Sequence, residues 1–279
     1  MKRRMATWTT LAFAVCLVIG VSASKAHAVA TISGTGPFTI TQNTDLVGDV
    51  NCSTTTVDCI TFAAPNLQLN LKGFTVTGPN ADCTVRVGDA GINTNGQAHA
   101  RIVGPGKVQK FPFGILVTGS NTLVREIVVI RNCAVGIDVV SNKAQIRDNI
   151  VLKTPGNGTG INVQGNDNVV ERNEAHGHGN GIGVSGTGNV IEKNSVTTNA
   201  GGIVLFAGGT NNRVGNNLVL NNSSVDIDDG GVANVVTGNI VTQNNVCEKG
   251  RGAAAQAVCA DSPTQPFHIN HLVGPAPAP

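Results

Sequence analysis

One phrase returns along this chain at short, nearly constant intervals: Gly-Ile-x-Val, a small polar turn, then Asn-x-Val-x-x-Asn. Its clearest copies open at Gly136 (GIDV…QIRDN), Gly160 (GINV…NVVERN) and Gly181 (GIGV…NVIEKN), followed by Gly202 (GIVL…NRVGNN) and Asp226 (DIDD…NVVTGN). Gly91 and Gly114 open weaker copies upstream, and the steps between successive starts are 23, 22, 24, 21, 21 and 24. A fixed period of this size makes each repeat one supersecondary unit that buries its apolar face only against its neighbours. Such a chain is a solenoid, and its function must lie on the outside of the tube or in the loops that leave it.

The letters inside the period select the kind of solenoid. Apolar residues alternate in short segments, as at Ile182 and Val184, then Val190, then Val196, and Gly, Asn and Ser fill the gaps. Alternation is the strand signal, and the intervening residues are turn formers. Leucine-rich repeats share the period but need a Leu-dominated consensus and helical spacing, and Ile and Val fill the slots here. Left-handed β-helices run on strict hexapeptides, which a period varying from 21 to 24 does not fit. Three short strands per coil with unequal turns do fit: an all-β, right-handed parallel β-helix. The stretch from Val29 to Val246, divided by that period, gives roughly ten coils in one domain.

Asn149, Asn173, Asn194, Asn217 and Asn239 occupy one equivalent position, at steps of 24, 21, 23 and 22. Parallel coils stack about 4.8 Å apart, so these amides are expected to form a ladder. Asn also tolerates the left-handed backbone that a tight corner requires. A second column runs through Asn199, Asn222 and Asn244. Both columns read as scaffold.

The repeats from Gly91 to about Asn245, and the opening segment GTGPFTITQNTDLVGDVNCSTTTVDCITFAAPNLQLNLKGFTVTG (34–78), resemble the secreted right-handed parallel β-helix repeat proteins. That group includes pectate lyases, polygalacturonases, alginate epimerases and periplasmic copper-protein-like repeat domains. The resemblance implies the fold, and a long shallow face on one strand and its adjoining turn where the group's enzymes hold polysaccharide.

Positions 1–28 read as an export signal: Lys2, Arg3 and Arg4, an apolar run from Leu11 to Val21, and the small-x-small site Ala26-His27-Ala28. The run is too short to span a membrane, and no integral segment is expected in the mature chain. Removing the signal takes away Lys2, Arg3, Arg4 and Lys25 and no acid, leaving 15 basic against 17 acidic residues and a net charge of −2. That balance argues against nucleic acid as a partner. Periplasmic or extracellular residence follows from the signal, and it permits disulfides. Cys16 leaves with the signal, and six cysteines remain. Cys52 with Cys59 flank a Thr-rich turn and Cys247 with Cys259 a Gly/Ala loop, which leaves Cys83 to pair with Cys133. Residues 29–58 are expected to form an N-terminal cap and first strands, 59–246 the β-helix, 247–273 a C-terminal cap and 274–279 a disordered tail. Open strand edges at the ends of a β-helix need such covers.

For chemistry, the strand after each Gly should point Asn93, Leu116, Asp138, Asn162, Gly183, Val204 and Asp228 outward. Asp138 and Asn162, with Lys153 and the turn His176-Gly177-His178-Gly179-Asn180, form the leading site candidate, since three successive coils bring such residues within roughly 10 Å. Asp138, Lys153, His176 and His178 are the acid–base candidates; Asp138, Asn162, His176, His178 and Asn180 are the binding candidates. His176-Gly177-His178 resembles a polygalacturonase motif, although that family's paired carboxylates precede it, and here Asp226-Ile227-Asp228-Asp229 follows. Asp226 and Asp228, two apart on one strand, are the weak metal candidates, with Ca²⁺ the ion their oxygens would suit. His268 and His271, or the His176/His178 pair, are weaker candidates for Cu²⁺ or Zn²⁺. No cofactor is expected otherwise. Arg147, Glu171, Arg172, Glu192 and Lys193 read as a solvated face with modest ion pairs. The only Trp is Trp8 and the chain has no Tyr, so an aromatic sugar platform is not expected; Met1 and Met5 leave with the signal, which argues against a soft Cu⁺ site. Two function classes follow: a non-catalytic binding or cell-surface module for an extended acidic polysaccharide, which is favoured, and a polysaccharide lyase, epimerase or hydrolase.

Overall fold

The chain folds as a right-handed parallel β-helix of about nine turns in a computed structural model, close to the expected ten. The structure describes residues 29–53, 56–80, 83, 89–153 and 158–241, and the backbone of the strands Val246–Lys249, Ala257–Cys259 and His268–Val273. The export signal, the C-terminal tail and Asn244 lie outside the described residues.

One coil shows the plan. The strand Val135–Val139 is followed by Gln145–Arg147 and then by Ile150–Leu152. Equivalent strands pair in parallel with the coils before and after. The Gly-Ile strands form one sheet; the second and third strands of each coil form a first and a second ladder. The register puts like on like. Ile92, Ile115, Ile137, Ile161, Ile182, Ile203 and Ile227 lie in one inward column. Ile102, Val124, Ile146, Val170, Ile191 and Val214 make another along the first ladder, and all of these residues are fully buried. Each contributes on the order of 1.5–3 kcal/mol by burial.

Two disulfides are formed, Cys52–Cys59 across 7 residues and Cys83–Cys133 across 50. At the C-terminal end, His268–Val273 runs antiparallel along Val235–Val241, and Ala257–Cys259 runs antiparallel to Val246–Lys249 with Cys247 opposite Cys259. The side chains of Cys247, Cys259, His268 and His271 lie outside the described residues.

Each coil turns at three corners, and from Asn121 to Gly238 every described corner turns on a left-handed residue, as does the earlier corner at His99. Between the ladders these are Asp148, Arg172, Lys193, Asn216 and Gly238; between the second ladder and the next Gly-Ile strand, Arg131, Lys153, Gly177, Thr198 and Asn221; between the Gly-Ile strand and the first ladder, His99, Asn121, Lys143, Asp167, Gly188, Asn211 and Ala233. Their φ values run from 49° to 76°. A side chain in this region costs about 1 kcal/mol or more, so something must hold the corners.

Buried asparagines hold them. Directly after the corner between the ladders come Asn149, Asn173, Asn194, Asn217 and Asn239, the column read from the sequence. The backbone N–H and the Nδ2 of Asn173 donate to Asn194 Oδ1 at 2.9 and 3.1 Å, and Asn194 donates likewise to Asn217 Oδ1 at 2.8 and 3.0 Å. Each Nδ2 also donates to an inner-strand carbonyl, as Asn194 does to Val170 O at 2.9 Å. A third ladder, which the sequence reading does not assign, runs through Asn168, Asn189, Asn212 and Asn234, after the corner that leaves the Gly-Ile sheet.

The remaining corner contains a correction. Asn199 and Asn222 form the expected second column, with Asn199 Nδ2 on Ala175 O at 3.1 Å and on Asn222 Oδ1 at 3.0 Å. The preceding member is His178. Its backbone N–H donates to Asn199 Oδ1 at 3.0 Å, and its Nε2 meets Val151 O at 3.0 Å, the role that Nδ2 plays in Asn199. His178 is buried, and Gly160 lies against it, where an added Cβ would come 2.8 Å from the ring. It is a ladder residue that takes the place of Asn, not a groove residue. A carbonyl only accepts, so Nε2 carries the hydrogen. Burial pushes the pKa down to about 4, the Val151 carbonyl acts against this, and His176 adds a small further depression.

The ladders end on carboxylates. Asn222 Nδ2 donates to Asp226 Oδ1 at 2.8 Å, and Asn234 Nδ2 to Asp229 Oδ1 at 2.7 Å. Asp226 occupies the Gly column and Asp229 the column of Leu205, both buried. A carboxylate accepts without donating, which suits the last rung.

Two outcomes are expected. Asn194→Ala leaves its buried partners Asn173, Val170 and Asn217, in the two neighbouring coils, unsatisfied, at about 1–3 kcal/mol each, and lowers the thermal midpoint by roughly 5–10 °C; Asn180→Ala, on a half-exposed strand start, changes it little. Equal shifts in a melting experiment would show that the ladder carries no special load. For His178, the unfolded chain protonates near pH 6.5 and the folded chain only near 4. Stability from this residue is complete above pH 6.5 and falls as pH drops toward 4, by on the order of 3 kcal/mol. His178→Asn keeps the ladder and removes the titration. Its denaturation midpoint should match wild type at pH 7.5 and exceed it at pH 4.5.

Candidate functional site

The outer side of the Gly-Ile sheet follows from the same register that fills the core. Asn93, Leu116, Asp138, Asn162, Gly183, Val204 and Asp228 are paired coil to coil in one continuous column, the stripe read from the alternation. Beside it runs a row of Val140, Gln164, Ser185 and Phe206, carried by the backbone bonds Val140 N to Val117 O and Phe206 N to Val184 O and by the pairing of Gln164 with Ser185.

The polar centre is a three-residue cluster. Asn162 Nδ2 donates to Asp138 Oδ1 at 2.8 Å and Gln164 Nε2 to the same oxygen at 3.4 Å. These neighbours enclose Asp138, which is 6% exposed although it stands on the outer face. Burial raises its pKa above the usual carboxylate value, and the two amide donors pull the other way. One coil further on, the column holds Gly183. A Cβ there would lie 2.9 Å from Phe206 Cε2 and 3.4 Å from Asn162 Oδ1, so the missing side chain makes room for the ring to lean across the backbone. Phe206 keeps 39% of its surface exposed and Val140 44%. The face combines hydrogen-bonding amides with two exposed apolar surfaces, the mixture that a pyranose, with its hydroxyl rim and C–H faces, can satisfy.

Phe206 is an exposed aromatic ring on this face of a chain that has no Tyr and whose only Trp is Trp8. The spacing that puts Val204 outward puts residue 206 outward too. Gln164 and Val140 follow from the same count.

The other candidates lie elsewhere. His176 stands on the outer side of the second ladder, in register with Leu152 and Thr197, with Nδ1 on Thr197 Oγ1 and Nε2 3.7 Å from Glu174. Lys153 is the exposed left-handed corner residue below Gly177. Asn180 opens the strand Asn180–Ser185 beside Thr159 and Gly201. With His178 inside the coil, Asp138, Lys153, His176 and His178 do not converge on one reacting bond. A corner separates the Gly-Ile sheet from the second ladder, and sequence spacing does not register it. Asp226 and Asp228 also part company. The strand Val225–Asp229 places Asp226 and Ile227 inward in succession, so Asp226 caps its ladder while Asp228 stays on the outer column. Among the described residues, no three His, Cys, Asp or Glu side chains group as a metal site.

The charged face lies on the first ladder. Glu171 meets Arg172 at 2.7 Å and Lys193 at 3.1 Å, and Arg172 also holds Asp148 at 2.7 Å. The Lys193 hydrogen bond lowers the Glu171 pKa and the Arg172 hydrogen bond that of Asp148. Exposed networks of this kind add little to stability.

Comparison with known proteins agrees with the fold. No curated protein matches the chain. Among solved structures, it is similar to the Dettilon tailspike protein (18% identity, TM-score 0.58, covering 77% of this chain and 47% of that one). It is also similar to the periplasmic alginate epimerase AlgG, in a double-mutant form (14%, 0.54, 73% and 61%), and to the tailspike of E. coli bacteriophage HK620 in complex with a pentasaccharide (10%, 0.53, 77% and 50%). At these identities the likeness is one of fold, and the chain spans about half the length of the tailspikes. Residues 107–265 match the profile of the right handed beta helix region, more than half of the chain, and this chain belongs to that family.

Proposed function

We propose that this chain is an exported binding module for an extended, acidic polysaccharide, held along the outer side of the Gly-Ile sheet. The observation that carries the reading is the joining of the Asp138–Asn162–Gln164 cluster to an exposed Phe206 over Gly183. Amide groups take sugar hydroxyls, the ring takes a C–H face, and repetition every coil offers successive sites at about 4.8 Å. The disulfides suit an oxidising compartment, and no helix among the described residues is long and apolar enough to cross a membrane. The HK620 tailspike, of similar fold, is a protein seen with a bound pentasaccharide.

Catalysis is the less supported reading. Asp138 and Asp228 share the outer column but stand four coil steps apart, about 19 Å, and the histidines lie on other surfaces. Burial raises the Asp138 pKa, but its neighbours in the outer column are Leu116 and Asn162, not the second carboxylate that glycosidases place roughly 5–10 Å away.

Binding should therefore depend on the face and turnover should be absent. In affinity electrophoresis through immobilised polysaccharide, Asn162→Ala should weaken retention about fivefold and Phe206→Ala about tenfold, with melting curves unchanged. Retention identical to wild type in both variants would remove the face from consideration. Wild-type production of unsaturated ends or epimerised residues from polyuronates, lost in Asp138→Asn, would replace binding with catalysis.

A further inference from the structure

The Gly-Ile face leaves one requirement unmet. Its ionisable groups are carboxylates, Asp138 at the centre and Asp228 four coils further along, which repel an acidic polymer. Cations gather instead at the neighbouring corner, where the Gly-Ile strands turn into the first ladder.

A depression of about 270 Å³ opens there, lined by Asn66, His99, Arg101, Asn121, Leu123 and Gln145. The coil plan builds it from two adjacent columns. Asn66, His99 and Asn121 are left-handed corner residues of successive coils, joined by the backbone bonds Asn66 N to Ala98 O and His99 N to Ser120 O. Arg101, Leu123 and Gln145 open successive strands of the first ladder in direct register. Left-handed corners splay the side chains apart, and the gap between the columns is the depression. Leu123 is half-buried in it, and the five polar residues are exposed around it. Lys143, the next corner residue beyond Asn121, is exposed as well.

The chemistry has one sign. The lining offers a guanidinium, an imidazole and three amides and contains no carboxylate; the nearest acid in the corner column is Asp167, one coil past Lys143. Arg101 Nε bonds Gln68 Oε1 at 3.2 Å, and Arg101 makes no ion pair with any described residue. The other arginines of this ladder differ: Arg125, Arg147 and Arg213 all meet a Glu. A cation without a counter-ion, amide donors on either side and an apolar floor suit a carboxylate or sulfate carried on a sugar ring, with the guanidinium fork on the anion and Leu123 under the C–H face.

We propose that the His99–Arg101 depression is a second, anion-selective saccharide subsite, which reads the acidic group of the polymer while the Gly-Ile face holds its hydroxyls. Val140, on that face, leads directly into the same turn as Lys143, so the two surfaces adjoin. The proposal deepens the polysaccharide reading, because it assigns the acid selectivity to residues outside the face.

The test uses the mature chain titrated with oligogalacturonate, its methyl-esterified form and a sulfated glycosaminoglycan oligosaccharide. His99→Asn keeps a residue that tolerates the left-handed corner, and Arg101→Gln keeps a hydrogen-bonding side chain; the double variant should fold as wild type by melting. Wild type should bind a carboxylated or sulfated oligosaccharide with affinity that falls as salt rises, and the double variant should lose about tenfold or more. The esterified form should bind both proteins equally. In wild type, the His99 ring resonances should shift on adding the acidic oligosaccharide, a readout that needs no variant. Unchanged affinity in the double variant, immobile His99 resonances, or binding to polyphosphate and to no acidic sugar would each overturn the proposal. Phe206→Ala separates the two readings: if it spares the acidic oligosaccharide while the corner variant loses it, the subsite stands and the face fails; the reverse pattern retains the face and removes the subsite.

Discussion

Amide side chains hold most coils of this protein in a backbone conformation they would otherwise avoid. A parallel β-helix must turn sharply three times per coil, and from Asn121 to Gly238 each described turn uses a left-handed residue, often Arg, Lys, Asp or Thr rather than Gly. The residue after the turn is a buried Asn along most of the tube. Its Oδ1 accepts from two donors of the preceding coil, and its Nδ2 reaches an inner carbonyl as well as the Asn of the coil beyond. One side chain thus satisfies the corner, the coil below and the coil above. The apolar columns supply most of the burial energy, but apolar side chains cannot satisfy the polar groups that the corners bury.

The same logic explains the exceptions. Where a ring with one donor nitrogen replaces the amide, at His178, the ladder continues, and the residue is held neutral by burial. Where the asparagines run out, Asp226 and Asp229 supply acceptors that ask for no further partner. These residues have the types that catalysis and metal binding use, and that is why the sequence alone marks them as candidates. Their chemistry is spent on the scaffold instead.

The proposed binding role falls to residues that the scaffold does not use. On the Gly-Ile face these are Asp138, Asn162, Gln164 and Phe206, placed together because consecutive coils differ in what they send outward at one position. At the adjoining corner they are His99 and Arg101, which line a depression with Asn66, Asn121, Leu123 and Gln145. The formal net charge of +2 over the whole chain gives no sign of where these cations gather, since net charge averages over surfaces that never meet.

The fold class, the period, the inward columns and the Asn149–Asn239 ladder are legible in the order of amino acids. Those features repeat, and a repeat stacked in register turns linear spacing into spatial neighbourhood. The outer column from Asn93 to Asp228 is legible too, by alternation along a strand. What the corners do emerges only once the coils are closed. A left-handed residue redirects the chain by a large angle within one position, so His176 and His178, two apart, end on the outside of one ladder and inside the coil. Asp226 and Asp228 separate for a related reason, because the strand sends two successive residues inward where the Gly column meets the ladder. Alternation predicts faces within a strand, and it fails at the turns, where this protein keeps its polar scaffold and part of its candidate binding surface.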